Sequence, residues 1–161
     1  MTRRCPFCAA RQGCFESRKA GLITHPDRYR RLLDIVPSHY NGIEFCQGTI
    51  TEMQVEDSRN GAEHSRNGGA DVYDAIRRYA SEGKICYVHF RNVRGKVPNY
   101  QEVFLDEGDV DMIAALRIYK ECGYDGVLIP DHTPHTSCQA PWHAGMAYAL
   151  GYMRAALRML S

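Results

Sequence analysis

Three residues that can bind a metal ion follow three short apolar segments of the sequence. Cys46 follows "GIEF", His89 lies in the last part of "KICYVHF", and Asp131 follows "GVLIP". A thiolate, an imidazole and a carboxylate together suit a divalent transition metal. Three protein ligands with room for a water molecule are typical of catalytic sites, whereas structural zinc sites usually have four. The three residues therefore predict a catalytic metal site, provided that the fold brings them together.

The elements that would position these residues alternate between helix and strand. Apolar spacing and breaker residues predict four helices and three strands. The helices cover residues 25–36, 72–83, 110–123 and 144–160, and the strands cover 41–45, 84–90 and 126–130. This order indicates βαβ units and a parallel sheet. Because the carboxyl ends of parallel strands share one edge, we expect Cys46, His89 and Asp131 at that edge.

Each candidate ligand also has a purely structural interpretation. A cysteine at a strand end is often a small buried hydrophobic residue. A single histidine is often an ordinary polar residue, and Asp131 could cap a turn. Their shared position after successive strands is what favours the metal site.

Further polar residues flank the three strand ends. His132 directly follows a candidate ligand, so it is placed to move protons on a bound substrate, although it could be a polar loop residue in "DHTPHTSC". Arg91 and Arg94 could hold a substrate carboxylate, which matches the guanidinium fork. Their alternative role is an ordinary surface salt bridge, which is more plausible for Arg94 than for Arg91.

Local signals set the expected ends of the elements. Asp71 and Asp109 are predicted to cap the second and third helices, and Gly83 and Gly123 to end them. Residues 91–108 are predicted to form a loop. Residues 54–70 form a polar stretch in which Ser-Arg-Asn-Gly occurs twice, and we interpret it as an inserted mobile loop.

Length, charge and cysteine content limit the classes of protein to which the chain can belong. The 161 residues carry a net charge of +1 and suffice for one domain with a core. This balance gives no reason to expect nucleic acid or membrane partners, and no apolar run is long enough to span a bilayer. Seven cysteines without an export signal predict reduced thiols in the cytoplasm.

The first 20 residues differ from the remainder in charge and pattern. They are basic, lack helical or strand periodicity, and contain Cys5, Cys8 and Cys14. A zinc knuckle that binds nucleic acid is one alternative, but a structural zinc site usually has four ligands. A redox Cys-x-x-Cys pair is another, although no strand precedes it. We expect residues 1–20 to be a disordered tail of unassigned role.

Five separated motifs resemble one enzyme family. The segments "GIEFCQGTITEM", "YVHFRNVRG", "FLDEGDVDM", "GYDGVLIPDH" and "ALGYMRAAL" are similar, in this order, to the C-terminal portion of mannonate dehydratases. The resemblance runs from about residue 21 to the end of the chain. It implies a xylose-isomerase-like TIM barrel, of which residues 21–161 hold about three βα units from the C-terminal half. Such an α/β part of a (β/α)8 barrel lacks most of its strands.

The resemblance also implies an activity and roles for individual residues. The family dehydrates D-mannonate to 2-keto-3-deoxy-D-gluconate in hexuronate breakdown and uses Mn²⁺ or Fe²⁺. By this resemblance Cys46, His89 and Asp131 are metal ligands and His132 is the catalytic acid/base. His143 is a substrate-binding candidate in the region where the family has an active-site tyrosine, and Tyr148 is an alternative.

The missing strands leave three outcomes open. A partial barrel needs self-association or a complementing N-terminal half to close its edges. The chain could be a truncated dehydratase that still turns over, or an inactive fragment that keeps the metal-binding edge. A related sugar-acid isomerase or epimerase is a further alternative.

Overall fold

A computed structural model of the chain describes residues 23–53 and 71–161. The predicted tail, the duplicated Ser-Arg-Asn-Gly and the remainder of the 54–70 loop lie outside the described residues. The elements are, in order, α1 (Arg28–Ile35), β1 (Ile43–Cys46), α2 (Gln47–Glu52), α3 (Val72–Ser81), β2 (Ile85–His89), β3 (Val93–Lys96), β4 (Asn99–Glu102), α4 (Met112–Glu121), β5 (Val127–Ile129) and α5 (Pro141–Met159).

The predicted parallel sheet is present. Its strand order is β1-β2-β5, and both neighbouring pairs are parallel. The register places Cys46 beside His89, and His89 beside Ile129. Because Asp131 follows Ile129 by two residues, the register alone brings all three predicted ligands to one edge of the sheet.

The two faces of the sheet differ sharply in burial. Phe45 and Val88 lie side by side on one face and are completely buried. Side chains alternate between faces along a strand, so Val127 and Ile129 lie on the opposite face, where they are 61% and 36% exposed. In a closed barrel that opposite face lines the interior. The three strands thus form an open segment of a barrel wall.

Of the two predicted N-terminal helix caps, one is confirmed and one is wrong. Asp71 caps α3 by accepting hydrogen bonds from the backbone N–H groups of Tyr73 and Asp74, as predicted. The prediction of Asp109 as the cap of α4 is wrong, because Asp111 caps that helix. Asp109 instead accepts a hydrogen bond from the backbone N–H of Gly95.

The predicted ends of both helices are confirmed. Gly83 and Gly123 follow α3 and α4 with φ angles of 63° and 72°. Glycine adopts this left-handed conformation without the steric cost that a Cβ atom imposes.

The region predicted as a loop over residues 91–108 contains an antiparallel hairpin of β3 and β4. Its sequence, "VRGKVPNYQE", lacks an apolar alternation, which explains why strand patterns did not predict it. The hairpin is tied to α2, since the backbone N–H of Val97 donates to the carbonyl of Glu52. Asn92 supports the adjoining loop, as its side-chain amide donates to the carbonyls of Leu105 and Val110.

One further helix was not predicted. The six-residue α2 begins directly after Cys46 and carries buried Gln47 and Gly48. It turns the chain away from the sheet edge at the point where the candidate ligands meet. Its short length and its glycine give little helical signal in the sequence.

No helix among residues 23–53 and 71–161 is long and apolar enough to cross a membrane.

Candidate metal centre

The structure brings the three predicted ligands together. Cys46 ends β1, His89 ends β2, and Asp131 follows β5. One ligand atom from each residue can be chosen so that all three lie within 4.8 Å of one another. The three residues therefore lie together at one edge of the sheet, as predicted. Metal binding by them stays a prediction.

The Asp131 carboxylate is held at the centre of this cluster. Its Oδ2 atom lies 3.3 Å from Nδ1 of His89 and 3.5 Å from Nε2 of His132. Its Oδ1 atom is buried and has no hydrogen-bond partner among the described residues. A buried carboxylate oxygen without a donor is costly, and a cation bound there would remove that cost. This residue therefore fits a metal ligand.

Cys46 is the buried member of the cluster, and its sulfur is the ligand atom that it offers. Burial raises the pKa of its thiol, the nearby Arg91 guanidinium opposes that effect, and the Asp131 carboxylate adds to it. Thr49 donates a 3.0 Å hydrogen bond from its hydroxyl to the sulfur. A bound metal ion would favour the thiolate, because thiolate rather than thiol is the ligand form of cysteine.

An acidic residue outside the cluster, Glu44, lies beside it. Its Oε1 atom is 3.1 Å from Nδ1 of His89. Glu44 was not predicted as a site residue, although it precedes Cys46 by two positions and so shares its face of β1. The spacing of two residues between Glu44 and Cys46 is the sequence pattern from which Glu44 could have been predicted.

Arg91 lies in a different setting from the predicted one. Its side chain is only 1% exposed, and its Nη2 donates to Oε2 of Glu52 at 2.8 Å while its Nη1 lies 3.3 Å from Oε1 of Glu102. Burial alone would lower the guanidinium pKa, but the ionisable acidic groups around it, with Cys46 and Glu102 foremost, raise it overall. Substrate contact by Arg91 stays a prediction.

Gly48 allows Arg91 to occupy this position. A Cβ atom on Gly48 would overlap the Arg91 side chain at its Nε, Cγ and Cδ atoms. The glycine in "CQG" is thus explained by close packing between α2 and the buried arginine.

His132 lies between the cluster and the hairpin. Its Nδ1 atom is 3.2 Å from Oε1 of Glu102 and 3.5 Å from Nη1 of Arg91. Its Nε2 atom is on the side of Asp131. The predicted acid/base is therefore adjacent to the candidate ligands.

Two other predicted substrate-binding residues lie elsewhere. Arg94 is exposed, and its guanidinium donates to the carbonyl of Glu107. His143 is exposed in the first turn of α5 and does not belong to the three-residue cluster. Tyr148, the alternative to His143, packs its ring against Phe104 at 4.7 Å between centroids. Substrate contact by these residues stays a prediction.

Comparison with known proteins identifies the family. The model of the D-mannonate dehydratase (UxuA) family matches residues 20–155 of the chain. The chain belongs to the D-mannonate dehydratase family. Mannonate dehydratase 2 of Halalkalibacterium halodurans is 32% identical over 114 residues, which are 69% of this chain and 29% of that relative. The mannonate dehydratase of Thermotoga maritima is 29% identical over 114 residues, which are 69% of this chain and 28% of that relative.

Solved structures agree on the fold. The mannonate dehydratase from Streptococcus suis serotype 2 aligns with a TM-score of 0.63 and 23% identity, over 88% of this chain and 40% of that one. A xylose isomerase domain protein from Planctomyces limnophilus aligns with a TM-score of 0.60 and 21% identity, over 85% of this chain and 44% of that one. The predicted partial (β/α)8 barrel is confirmed. The chain spans less than a third of the length of these curated relatives.

Proposed function

We propose that this chain supplies the metal-binding edge of a lyase that dehydrates D-mannonate to 2-keto-3-deoxy-D-gluconate. The observation that carries the proposal is the cluster of Cys46, His89 and Asp131 in a chain of the D-mannonate dehydratase family. The proposed metal is Mn²⁺ or Fe²⁺, and the proposed location is the cytoplasm. The mannonate dehydratases among its relatives support the choice of substrate.

The reaction removes one water molecule from the sugar acid. A proton leaves C2, beside the carboxylate, and hydroxide leaves C3, after which the enol rearranges to the 2-keto product. A bound divalent metal would supply Lewis-acid stabilisation of the negative charge that develops on the substrate oxygens. Cys46, His89 and Asp131 would hold it.

His132 is the proposed proton carrier. Its Nε2 atom lies 3.5 Å from the Asp131 carboxylate, so a substrate bound at the cluster would be within reach of the ring. Imidazole exchanges protons readily near neutral pH. Arg91, buried beside the ring, would hold positive charge close to the substrate carboxylate.

The exposed interior face of the sheet indicates that the site needs a partner to complete the barrel. The exposure of Val127 and Ile129 on the interior face supports completion of the barrel by further β/α units. We therefore propose a complementing N-terminal part, or a second copy of the chain, as the partner in turnover.

The test is D-mannonate dehydration with added Mn²⁺, with the 2-keto-3-deoxy product identified by mass and by its reaction as a 2-keto acid. The chain is assayed alone and after refolding with the N-terminal part of the H. halodurans relative. We expect turnover in at least one of these samples and its loss in His132→Asn, which keeps a side chain of similar size. Formation of an isomer of mannonate in place of the dehydrated product would favour an isomerase or epimerase. Absence of any product from a metal-loaded complemented barrel would refute the proposal.

A further inference from the structure

The β3–β4 hairpin delivers a carboxylate to the proposed acid/base. Glu102 is the last residue of β4, and its Oε1 atom lies 3.2 Å from Nδ1 of His132. The same oxygen is 3.3 Å from Nη1 of Arg91. One carboxylate oxygen has lone pairs for two donors, so it can accept from both groups at once.

We propose that Glu102 is a positioning residue that fixes the ring of His132 with a proton on Nδ1 and with Nε2 turned towards Asp131. If Nδ1 carried no proton, its lone pair would face a carboxylate oxygen at 3.2 Å, which is repulsive. With the proton on Nδ1, that contact is a charge-assisted hydrogen bond. The lone pair is then on Nε2, which lies 3.5 Å from Oδ2 of Asp131, so the same repulsion acts there over the longer of the two distances.

The competing contact of His132 is weaker. Nη1 of Arg91 lies 3.5 Å from Nδ1 of the ring, at the limit of a hydrogen bond. This approach follows from the convergence of both donors on Oε1 of Glu102. The orientation is therefore attributed to Glu102 and not to Arg91.

Glu102 is itself held from several sides. Across the hairpin it pairs with Val93, which is completely buried. Arg91, its ion-pair partner, is anchored from the other side by Glu52. The hairpin is further tied to α2, because Lys96 donates from Nζ to the carbonyl of Thr51. A carboxylate positioned in this way can orient a ring, because its own conformations are restricted.

The role of the ring in turnover rests on the proposed function, but its orientation can be measured without any turnover. The ring ¹⁵N shifts of neutral histidine distinguish the two tautomers, so spectra are recorded over a pH series and compared above the pH at which the ring loses its positive charge. The full chain is measured without added metal and with diamagnetic Zn²⁺, and the His132→Gln spectrum assigns the signal. We expect the Nδ1–H form for His132 in the wild type. An Nε2–H form there would overturn the proposal.

Two variants at Glu102 separate orientation from general structural support. In Glu102→Leu the acceptor is lost, and we expect the Nε2–H form to become the major one. In Glu102→Gln an amide oxygen can still accept, so we expect the Nδ1–H form to persist. Gln101→Leu, on the exposed neighbouring residue of β4, should leave the wild-type signal unchanged. A folded Glu102→Leu chain with the wild-type tautomer would contradict the proposal.

Activity supplies the second readout once turnover is found. We expect Glu102→Leu to lower kcat by about 10- to 100-fold, a part of what general acid/base catalysis contributes. KM should change by less than about threefold, because Glu102 does not contact substrate in this account. Glu102→Gln should recover most of the loss. A change confined to KM would overturn the positioning role, whereas absence of turnover in the wild type, both alone and complemented, would refute the proposed function and leave the tautomer result standing.

Discussion

Nδ1 of His89 lies 3.3 Å from Oδ2 of Asp131, although the two residues belong to different strand ends. Cys46 completes the group from a third strand. The parallel register explains this meeting, because it sets Cys46 beside His89 and brings the end of β5 to the same edge.

The first prediction concerns the sulfur ligand. Addition of Co²⁺ to the chain should produce an intense near-ultraviolet charge-transfer band, because a thiolate from Cys46 would bind the ion. Cys46→Ser should lose the band. Cys86→Ser is the matched control, since that cysteine is exposed and outside the cluster, and it should keep the band. A band that persists in Cys46→Ser would show that another thiol binds the metal.

The second prediction concerns Asn92, the buried asparagine of the segment "FRNVRG". Its amide donates to the carbonyls of Leu105 and Val110 at 2.8 Å, and its oxygen accepts from the backbone N–H of Val110. Asn92→Ala leaves these buried groups without their partner, so we expect it to lower the free energy of unfolding by about 3 kcal/mol. Urea denaturation measures this change.

The control for Asn92 is Gln101→Ala, which removes an exposed amide from β4. We expect a change within about 0.5 kcal/mol. Equal effects of the two substitutions would argue against a supporting role for Asn92 in the loop.

The third prediction tests the assignment of the sheet faces. Val127→Thr should change the stability of the isolated chain by less than about 0.5 kcal/mol, because Val127 is on the open face. Val88→Thr, the same substitution on the face covered by helices, should cost about 1–3 kcal/mol through a buried hydroxyl. Thermal or urea unfolding of both variants measures the difference. A large loss of stability in Val127→Thr would indicate that the open face is already covered by another copy.

Much of the site could be predicted from the sequence because strand ends are strongly marked. Short apolar segments followed by Cys46, His89 and Asp131 specify both the parallel strands and their shared edge. The position of His132 then follows from its neighbour. These inferences depend only on local patterns and on the general geometry of parallel sheets.

The supporting carboxylates could not be predicted in the same way. Glu102 reaches His132 through a hairpin whose strands lack apolar alternation, and Glu52 reaches Arg91 through a six-residue helix stabilised by its tertiary contacts. The true cap of α4, Asp111, was missed because Asp109 offers the same side chain two residues earlier. The positions of these carboxylates depend on contacts between residues far apart in the sequence, which local propensity does not predict.

The measurement that tests the central claim most directly is a crystal structure of the chain grown with Mn²⁺, with anomalous difference density used to locate the ion. We predict a peak at about 2 to 2.5 Å from Sγ of Cys46, a ring nitrogen of His89 and a carboxylate oxygen of Asp131. The Asp131→Ala crystal should lack that peak. A manganese peak elsewhere in a folded chain, or none at this cluster, would contradict the account.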